Sequence, residues 1–146
     1  MTWSVTLVPT SEVKDWWPTV APMLEPAIAL SNGRADLISV LQWLLDRRYL
    51  LWVAYPESRM VQAAFVTREA RYPGKAMLCL DFCGGAEMHG WMEEGTRIFR
   101  AFAKDVGLDG VELYGRLGWQ KALKGYGWRP LGMLVEIDAA ATGLKS

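Results

Sequence analysis

The alternation of apolar and polar positions near the start of the chain predicts one strand followed by an interrupted helix. Residues 3–8 alternate between apolar and polar side chains, which is typical of a strand with one buried face. Residues 10–12 form a helix-start signal. Pro18 and Pro22 predict that the helix is short, kinks, and resumes as a second piece to about Leu30.

A second helix is predicted by the spacing of apolar residues after Asp36. Asp36 is a favoured N-cap residue. The leucines and the valine of residues 37–45 recur at the i, i+3, i+4 spacing of one buried helix face. Arg47 and Arg48 close the helix with charges that suit its C-terminal end.

Three strands are predicted in the middle of the chain. Residues 49–55 and 60–68 are joined by a short turn, so they form an antiparallel hairpin. A turn at residues 72–75 leads into residues 76–83, which are almost continuously apolar. This is the pattern of a central strand that is buried on both faces.

The last part of the chain predicts a long helix and then short elements. Gly84 and Gly85 break the central strand, and a helix follows over residues 88–106. The elements predicted after it are a strand at 110–114, a helix at 118–124 and a last strand at 131–137. We expect a single domain over residues 1–138 with a peripheral tail at 139–146.

The composition argues against nucleic-acid binding and favours association with other proteins. The chain has 16 basic and 16 acidic residues and no run of Lys or Arg, so it lacks the electrostatic signature of a nucleic-acid binder. A net charge of zero also weakens repulsion between copies, which favours association with itself or with a partner. Eight tryptophans are many for this length, and some could form a surface that meets a partner.

The cysteines, the single histidine and the apolar stretches bear on metal binding and on location in the cell. Cys79 and Cys83 are expected to be reduced core or loop residues. The single histidine, His89, does not allow a His/Cys zinc site of ordinary composition, so no metal is expected. The first residues lack the basic and apolar regions of a signal peptide, and no apolar stretch approaches the ~20 residues of a membrane span. We therefore expect a cytoplasmic protein, or one carried inside a particle assembled in a cell.

Two segments, 80–86 (LDFCGGA) and 115–128 (GRLGWQKALKGYGW), carry a family resemblance together with the order of elements. The chain resembles the GNAT N-acetyltransferases over nearly its whole length. This implies an α/β (α+β) fold with a central mixed, mostly antiparallel sheet of about six strands and helices on both faces. More narrowly, it resembles small phage-encoded GNAT-like proteins, some of which are described as virion or internal virion proteins of short-tailed phages.

The resemblance implies an acetyl-CoA site at the junction of the central strand and the long helix. In the family, acetyl-CoA lies between two splayed strands, and backbone N–H groups of a glycine-rich loop hold its pyrophosphate. The matching positions here are Phe82, Cys83, Gly84, Gly85 and Ala86. Arg116 is a further candidate for a phosphate contact. Alternatively, the two glycines only turn the chain from strand to helix.

The sequence departs from the family pattern at positions that matter for catalysis. Glu87, Glu93 and Glu94 surround the start of the long helix, where they stabilise its dipole and repel phosphate. Trp119 stands where the family has a small residue beside the cofactor. Leu123 stands where the family usually has a tyrosine that acts as general acid.

Candidate catalytic residues are few. Asp81 is the first candidate for a general base, with Glu69 and Glu112 as weaker ones; alternatively, Asp81 is satisfied by hydrogen-bond partners. Tyr126 is the candidate acid, or else a structural residue that points elsewhere on its helix. His89 stands alone and is interpreted as a surface or capping residue.

Two functions from different classes remain open on the sequence. The first is acetyl transfer from acetyl-CoA to an unknown amine, implied by the resemblance and the Gly84-Gly85 loop. The second is a non-catalytic structural or interaction protein of a phage virion, internal or tail-associated. Its partners would be other proteins of the particle or further copies of the chain.

Overall fold

The computed structural model describes residues 2–115 and 117–140, of which residues 117, 118 and 120 are described by their backbone only. The elements in chain order are β1 (Trp3–Val8), α1 (Val13–Ala29), α2 (Leu37–Leu45), β2 (Leu50–Pro56), β3 (Ala63–Tyr72), β4 (Lys75–Gly85), α3 (Met88–Asp105), β5 (Gly110–Leu113) and α4 (Leu117–Leu123). Short 3₁₀ turns at Thr10–Glu12 and Lys124–Tyr126 precede α1 and follow α4.

In the described part of the chain, five strands form one sheet in the order β1-β2-β3-β4-β5. Each pair of neighbours is antiparallel except β4 and β5, which are parallel. The parallel pair requires a crossover, and α3 provides it. The predicted mixed, mostly antiparallel sheet with helices on both faces is therefore confirmed, with five strands where about six were expected.

The predicted last strand is wrong within this structure. Residues 131–137, called the C-terminal arm below, are not assigned to a strand. The carboxylate of Glu136 pairs with Arg34 at 3.0 Å and accepts a hydrogen bond from Asn32 at 3.3 Å. The arm is thus anchored at the α1–α2 connection, and a strand needs a hydrogen-bonded neighbour that the arm does not have among the described residues.

The predicted break in the first helix is also wrong, because α1 runs without interruption from Val13 to Ala29. Pro18, Pro22 and Pro26 are four residues apart, so they lie on one face of the helix, and all three are exposed. Each proline removes one backbone hydrogen bond. The carbonyl groups left without a helix partner lie on the solvent side, where water can bond them, while the opposite face stays packed.

The second helix agrees with its prediction, over Leu37–Leu45. The side chain of Asp36 accepts a hydrogen bond from the backbone N–H of Ser39 at 2.7 Å. The hydroxyl of Ser39 accepts one from the backbone N–H of Asp36 at 3.0 Å, which completes a capping box. The helix start is therefore determined by local sequence.

The sheet separates two apolar cores. Along β2, Leu51 and Val53 pack in the core shared with α1 and α2, whereas Trp52 and Ala54 pack in the core shared with α3. The strand alternation places successive side chains on opposite faces. The two cores are called the α1/α2 side and the α3 side below.

Candidate functional site

The central strand β4 contains an extra residue at Asp81. In the pairing of β3 with β4, Val66 lies opposite Phe82 while the next residue, Thr67, lies opposite Leu80. Asp81 is therefore the unpaired residue of a β-bulge. Leu80 packs on the α3 side and Phe82 on the α1/α2 side, so the bulge reverses which residues of β4 face each core.

The same point in β4 is where β5 ends. The parallel pairing of β4 with β5 runs to Leu80 and Leu113, whereas β4 continues to Gly85. Along residues 81–85, the edge of β4 that faces away from β3 has no paired strand among the described residues. A strand edge without a neighbouring strand is a place where an extended ligand can add. We call this region the β4 opening.

The side chain of Asp81 lies in a cluster of hydrogen-bond donors on the α1/α2 side. Its Oδ2 atom accepts hydrogen bonds from the Nε of Arg68 at 2.6 Å and from the hydroxyl of Tyr49 at 2.9 Å. Its Oδ1 atom accepts one from the thiol of Cys79 at 3.0 Å. The side chain of Asp81 is only 12% exposed and that of Arg68 is 32% exposed. The carboxylate is therefore satisfied by side-chain partners.

The protonation states in this cluster follow from burial and from the charge of Asp81. Burial, and after it the negative charge of Asp81, raises the pKa of Tyr49 to about 12. Burial and the hydrogen bond to Asp81 likewise raise the pKa of the Cys79 thiol well above its ordinary value. Burial lowers the pKa of Arg68, but the hydrogen bond and charge of Asp81 outweigh it, and the net effect is a raised pKa. At neutral pH one cation and two neutral donors therefore surround the carboxylate.

The two weaker base candidates lie outside this cluster. Glu69 pairs with Arg71 at 3.0 Å in an exposed ion pair on β3. Glu112 of β5 lies opposite Cys79 in the sheet register, and its carboxylate accepts a hydrogen bond from the hydroxyl of Tyr72. That hydrogen bond is the main cause that raises the pKa of Tyr72 to about 12.

Gly84 and Gly85 are the last two residues of β4, where the sequence predicted a break, and the structure gives both a packing role. A Cβ atom on Gly84 would lie 1.8 Å from the carbonyl oxygen of Met23 in α1. A Cβ atom on Gly85, whose φ is +129°, would lie 2.2 Å from the carbonyl oxygen of Gln62. The backbone N–H of Ala86 donates to that same oxygen at 2.8 Å. The close approach that glycine permits is therefore used by α1 and by the start of β3, and contact of the loop with a cofactor stays a prediction.

The long helix α3 begins at an acidic residue. Glu87 is the N-cap, in the left-handed conformation with φ of 61°, and within the described residues its side chain makes no hydrogen bond to the first turn. The indole N–H of Trp91 donates to the carbonyl oxygen of Ala86 at 2.9 Å and ties the loop to the helix. His89 is exposed, as the surface interpretation predicts. Unsatisfied N–H groups at a helix start favour an anion, but the nearby Glu87 carboxylate competes with it.

Large apolar side chains fill the α3 side of the sheet where the pairing of β4 with β5 ends, at Leu80 and Leu113. Trp119 of α4, the buried Leu123 and Trp128 line a cavity of only about 10 Å³ together with residues of α3. The indole N–H of Trp128 donates to the hydroxyl oxygen of Thr96 in α3 at 3.0 Å. Tyr126 is half-buried in the same cluster.

The structure does not bring the two candidate catalytic residues to one face. Asp81 bonds to residues of the α1/α2 side, whereas Tyr126 packs on the α3 side. Arg116, the candidate for a phosphate contact, lies outside the described residues. The roles of these residues in catalysis stay predictions.

The sequence pattern does not identify Tyr49 and Arg68 as partners of Asp81. It places Tyr49 in a strand for its apolar character and Arg68 at the end of a strand. A charged residue inside a strand of otherwise apolar side chains is a usable signal, since a buried charge needs a partner. The identity of that partner depends on the bulge.

Within the described residues, no group of three or more potential metal-ligating side chains is present. No helix in this part of the chain is long and apolar enough to span a membrane. No protein-family model matches the sequence, and a comparison with curated proteins gives no match.

The fold is similar to that of several solved acetyltransferases. An aminoglycoside 6′-N-acetyltransferase from Acinetobacter baumannii matches with a TM-score of 0.64 and 13% identity, over 96% of this chain and 99% of that one. An aminoglycoside acetyltransferase from an uncultured soil metagenomic sample matches with a TM-score of 0.69 and 12% identity, over 96% and 100%. A predicted acetyltransferase from Clostridium acetobutylicum, solved with acetyl-CoA, matches with a TM-score of 0.63 and 9% identity, over 94% and 96%. The chain therefore has the fold of the GNAT acetyltransferases.

Proposed function

We propose that this protein transfers an acetyl group from acetyl-CoA to an amine. The observation that carries the proposal is the β4 opening, where β5 ends while β4 continues and a carboxylate stands at the bulge. The shared fold with aminoglycoside acetyltransferases supports amines as acceptors, and polyamines of that kind are the first class to test. Fold alone does not determine chemistry, so the proposal rests on the residues of the site.

The open edge of β4 fits the acyl donor. The edge of β4 beyond the end of β5, which has no neighbouring strand among the described residues, could bond the amide groups of an extended arm, as an added strand would. The first N–H groups of α3 are the donors available to its phosphates. Glu87 is the unfavourable element, because its exposed carboxylate lies where negative charge would bind.

Acetyl-CoA would supply an activated carbonyl carbon, and the chain would supply position and a proton acceptor. Backbone N–H groups of the β4 opening would orient the reacting groups and stabilise negative charge that develops on oxygen. The amine nitrogen would form the new C–N bond, the C–S bond would break, and the CoA thiolate would leave and take up a proton from water. Asp81 would receive the proton of the acceptor amine at Oδ1, which among the described residues is bonded by the thiol of Cys79. Arg68 and Tyr49 hold Oδ2 and so fix the orientation of the carboxylate. Trp119 and Leu123 would exclude water from the α3 side.

Calorimetric titration of the full chain with acetyl-CoA and with CoA tests the donor site. We expect micromolar binding that tightens about two- to fivefold in Glu87→Gln, because this change removes a charge that opposes the phosphates. Glu93→Gln is the matched control, since Glu93 is also exposed but lies further along α3. Release of free CoA thiol with a panel of amines, aminoglycosides included, then tests transfer, which Asp81→Asn should abolish.

Two results would contradict the proposal. Binding no better than millimolar would exclude a working donor site. Micromolar binding that Glu87→Gln leaves unchanged would place the phosphates away from the start of α3. A substitution at Gly85 is unsuitable as a probe, because any side chain there meets the backbone of β3.

A second candidate is a non-catalytic binding role in a phage particle, as in the virion proteins that the sequence resembles. The observation that favours it is the filling of the α3 side of the sheet, where the pairing of β4 with β5 ends, by Trp119, Leu123 and Trp128. It expects no acetyl-CoA binding and expects the protein to co-purify with particles. Absence of the protein from purified virions would contradict the virion version.

A further inference from the structure

An open groove lies between the second half of α3 and the loop that leads from α3 into β5. Its volume is about 430 Å³, within the range of about 300–1,000 Å³ in which proteins bind small molecules. Ala103 and Leu108, both buried, form an apolar part of its wall. The groove is separate from the start of α3, because Lys104 on its wall lies about 24 Å along the helix from Met88.

Three cations line this groove from one face of α3. Arg97, Arg100 and Lys104 follow one another at intervals of three and four residues, so their side chains are neighbours on the helix surface. Arg97 is held by Glu94, whose carboxylate accepts two hydrogen bonds from its guanidinium at 2.7 and 2.8 Å. Arg100 and Lys104 are exposed, and neither has a carboxylate partner among the residues that the structure describes. The groove therefore presents two uncompensated positive charges about one helical turn apart.

The stability of the helix does not account for this pair of cations. Like charges four residues apart on a helix repel each other. A cation in the last turn stabilises the helix dipole, which accounts for Lys104, but Arg100 lies before that turn. Asp109 also lines the groove, and its Oδ2 atom accepts a hydrogen bond from the backbone N–H of Ala76 at 2.9 Å, so its carboxylate is directed to β4. An anionic ligand in the groove would relieve the repulsion between the two cations.

We propose that this groove binds a phosphorylated small molecule of about the size of a nucleotide. The guanidinium of Arg100 can donate two parallel hydrogen bonds to a phosphate, and the ammonium of Lys104 adds a compact charge beside it. The side chain of Leu108 offers an apolar surface to the rest of the ligand. The three cations span only about 10 Å of helix, which is short for a nucleic acid, whose binding spreads over many phosphates. The proposal does not depend on whether the protein binds acetyl-CoA.

Calorimetric titration of the full chain at low salt tests the groove, with uridine diphosphate as the probe and uridine as the matched compound without phosphate. We expect the diphosphate to bind with a Kd below about 1 mM and uridine to give no measurable heat. The double variant Arg100→Gln, Lys104→Gln should weaken the binding at least about tenfold. The control Lys14→Gln, Arg47→Gln also removes one lysine and one arginine charge, from exposed positions in α1 and after α2. It should keep the native affinity within about twofold.

Asp109→Asn tests the same site through a gain of affinity. Asparagine keeps a side-chain oxygen that can accept the hydrogen bond of Ala76, and it removes a negative charge that lines the groove. Binding of uridine diphosphate should tighten about two- to fivefold. A variant that merely unfolds could not produce this result, and weaker or unchanged binding would contradict the proposal.

Titration with CoA separates the groove from the proposed donor site. The Arg100→Gln, Lys104→Gln protein should bind CoA as the native protein does, and saturating CoA should leave the binding of uridine diphosphate unchanged. If the native protein does not bind CoA, the proposed function fails while the result for the groove stands. Four results would overturn the inference: a Kd for the diphosphate above ~1 mM, equal affinity of the native protein and the double variant, displacement of the diphosphate by CoA, or binding of a hexaglutamate peptide in its place, which would make the groove a contact for a protein.

Discussion

The Nε of Arg68 donates to Oδ2 of Asp81 at 2.6 Å, which joins β3 to β4 at the residue where the sheet register shifts. Arg68 lies opposite Cys79 in the register, and Cys79 donates to the other oxygen of the same carboxylate. The bulge therefore turns an acidic side chain toward a cation and two neutral donors. The contacts of Asp81 define the geometry of the site, and their loss should lower the stability of the fold.

Replacement of Arg68 by Met should destabilise the fold by about 1–3 kcal/mol, because it leaves a mostly buried carboxylate without its cation. The free energy of unfolding from denaturant titration measures this. Arg71→Met on the same strand is the control, since the pair of Arg71 with Glu69 is exposed and should contribute less than about 1 kcal/mol. Combination of Arg68→Met with Asp81→Asn should recover part of the loss. Equal effects of the two arginine substitutions would contradict the role of the pair.

Tyr49 should make the stability depend on pH in the alkaline range. Its pKa is raised to about 12 in the folded protein, while an unfolded tyrosine ionises near about 10. A raised folded-state pKa contributes stability that is fully present below the unfolded pKa and is lost as the pH rises through the folded pKa. The contribution of Tyr49 should therefore disappear between about pH 10 and about pH 12. In Tyr49→Phe this part of the pH dependence of the unfolding free energy should be missing, and an unchanged curve would refute the assignment.

Gly84→Ala should destabilise the protein by about 3 kcal/mol or more, because the added methyl group meets the backbone carbonyl of Met23. Gly74→Ala, at a turn with open space around the glycine, should change stability by less than about 1 kcal/mol. Thermal unfolding of the two variants compares them directly. Similar melting temperatures would show that α1 does not pack against the end of β4 as described.

Pro22→Ala should stabilise the protein by about 1–3 kcal/mol. The substitution restores a backbone donor in the middle of α1 at an exposed position, and alanine is the best helix former. The more flexible unfolded chain of the variant offsets only part of this gain. Glu25→Ala, at another exposed position of α1, is expected to change the unfolding free energy by less than about 0.5 kcal/mol. A destabilised Pro22→Ala protein would mean that the prolines serve packing rather than merely being tolerated.

Elements whose signals lie within a few residues are determined by the sequence itself. The capping residue Asp36 and the apolar spacing after it locate α2, because a cap and a helix face are built from neighbours along the chain. The apolar run around Leu80 and the glycine at 107 locate β4 and the end of α3 in the same way. The GNAT-like order of these elements follows from them.

Features that depend on distant residues are decided only by the assembled sheet. The prolines of α1 are compatible with one helix because they all lie on its solvent face, which is decided by packing against β3 and β4. Position 84 requires glycine because the backbone carbonyl of Met23 packs against it. Asp81 meets its hydrogen-bond partners because the register between β3 and β4 shifts at this residue. Hydrogen-bond caps and periodicity act over one or two turns of chain, whereas contacts across a sheet are selected by register and burial, to which residues far apart contribute together.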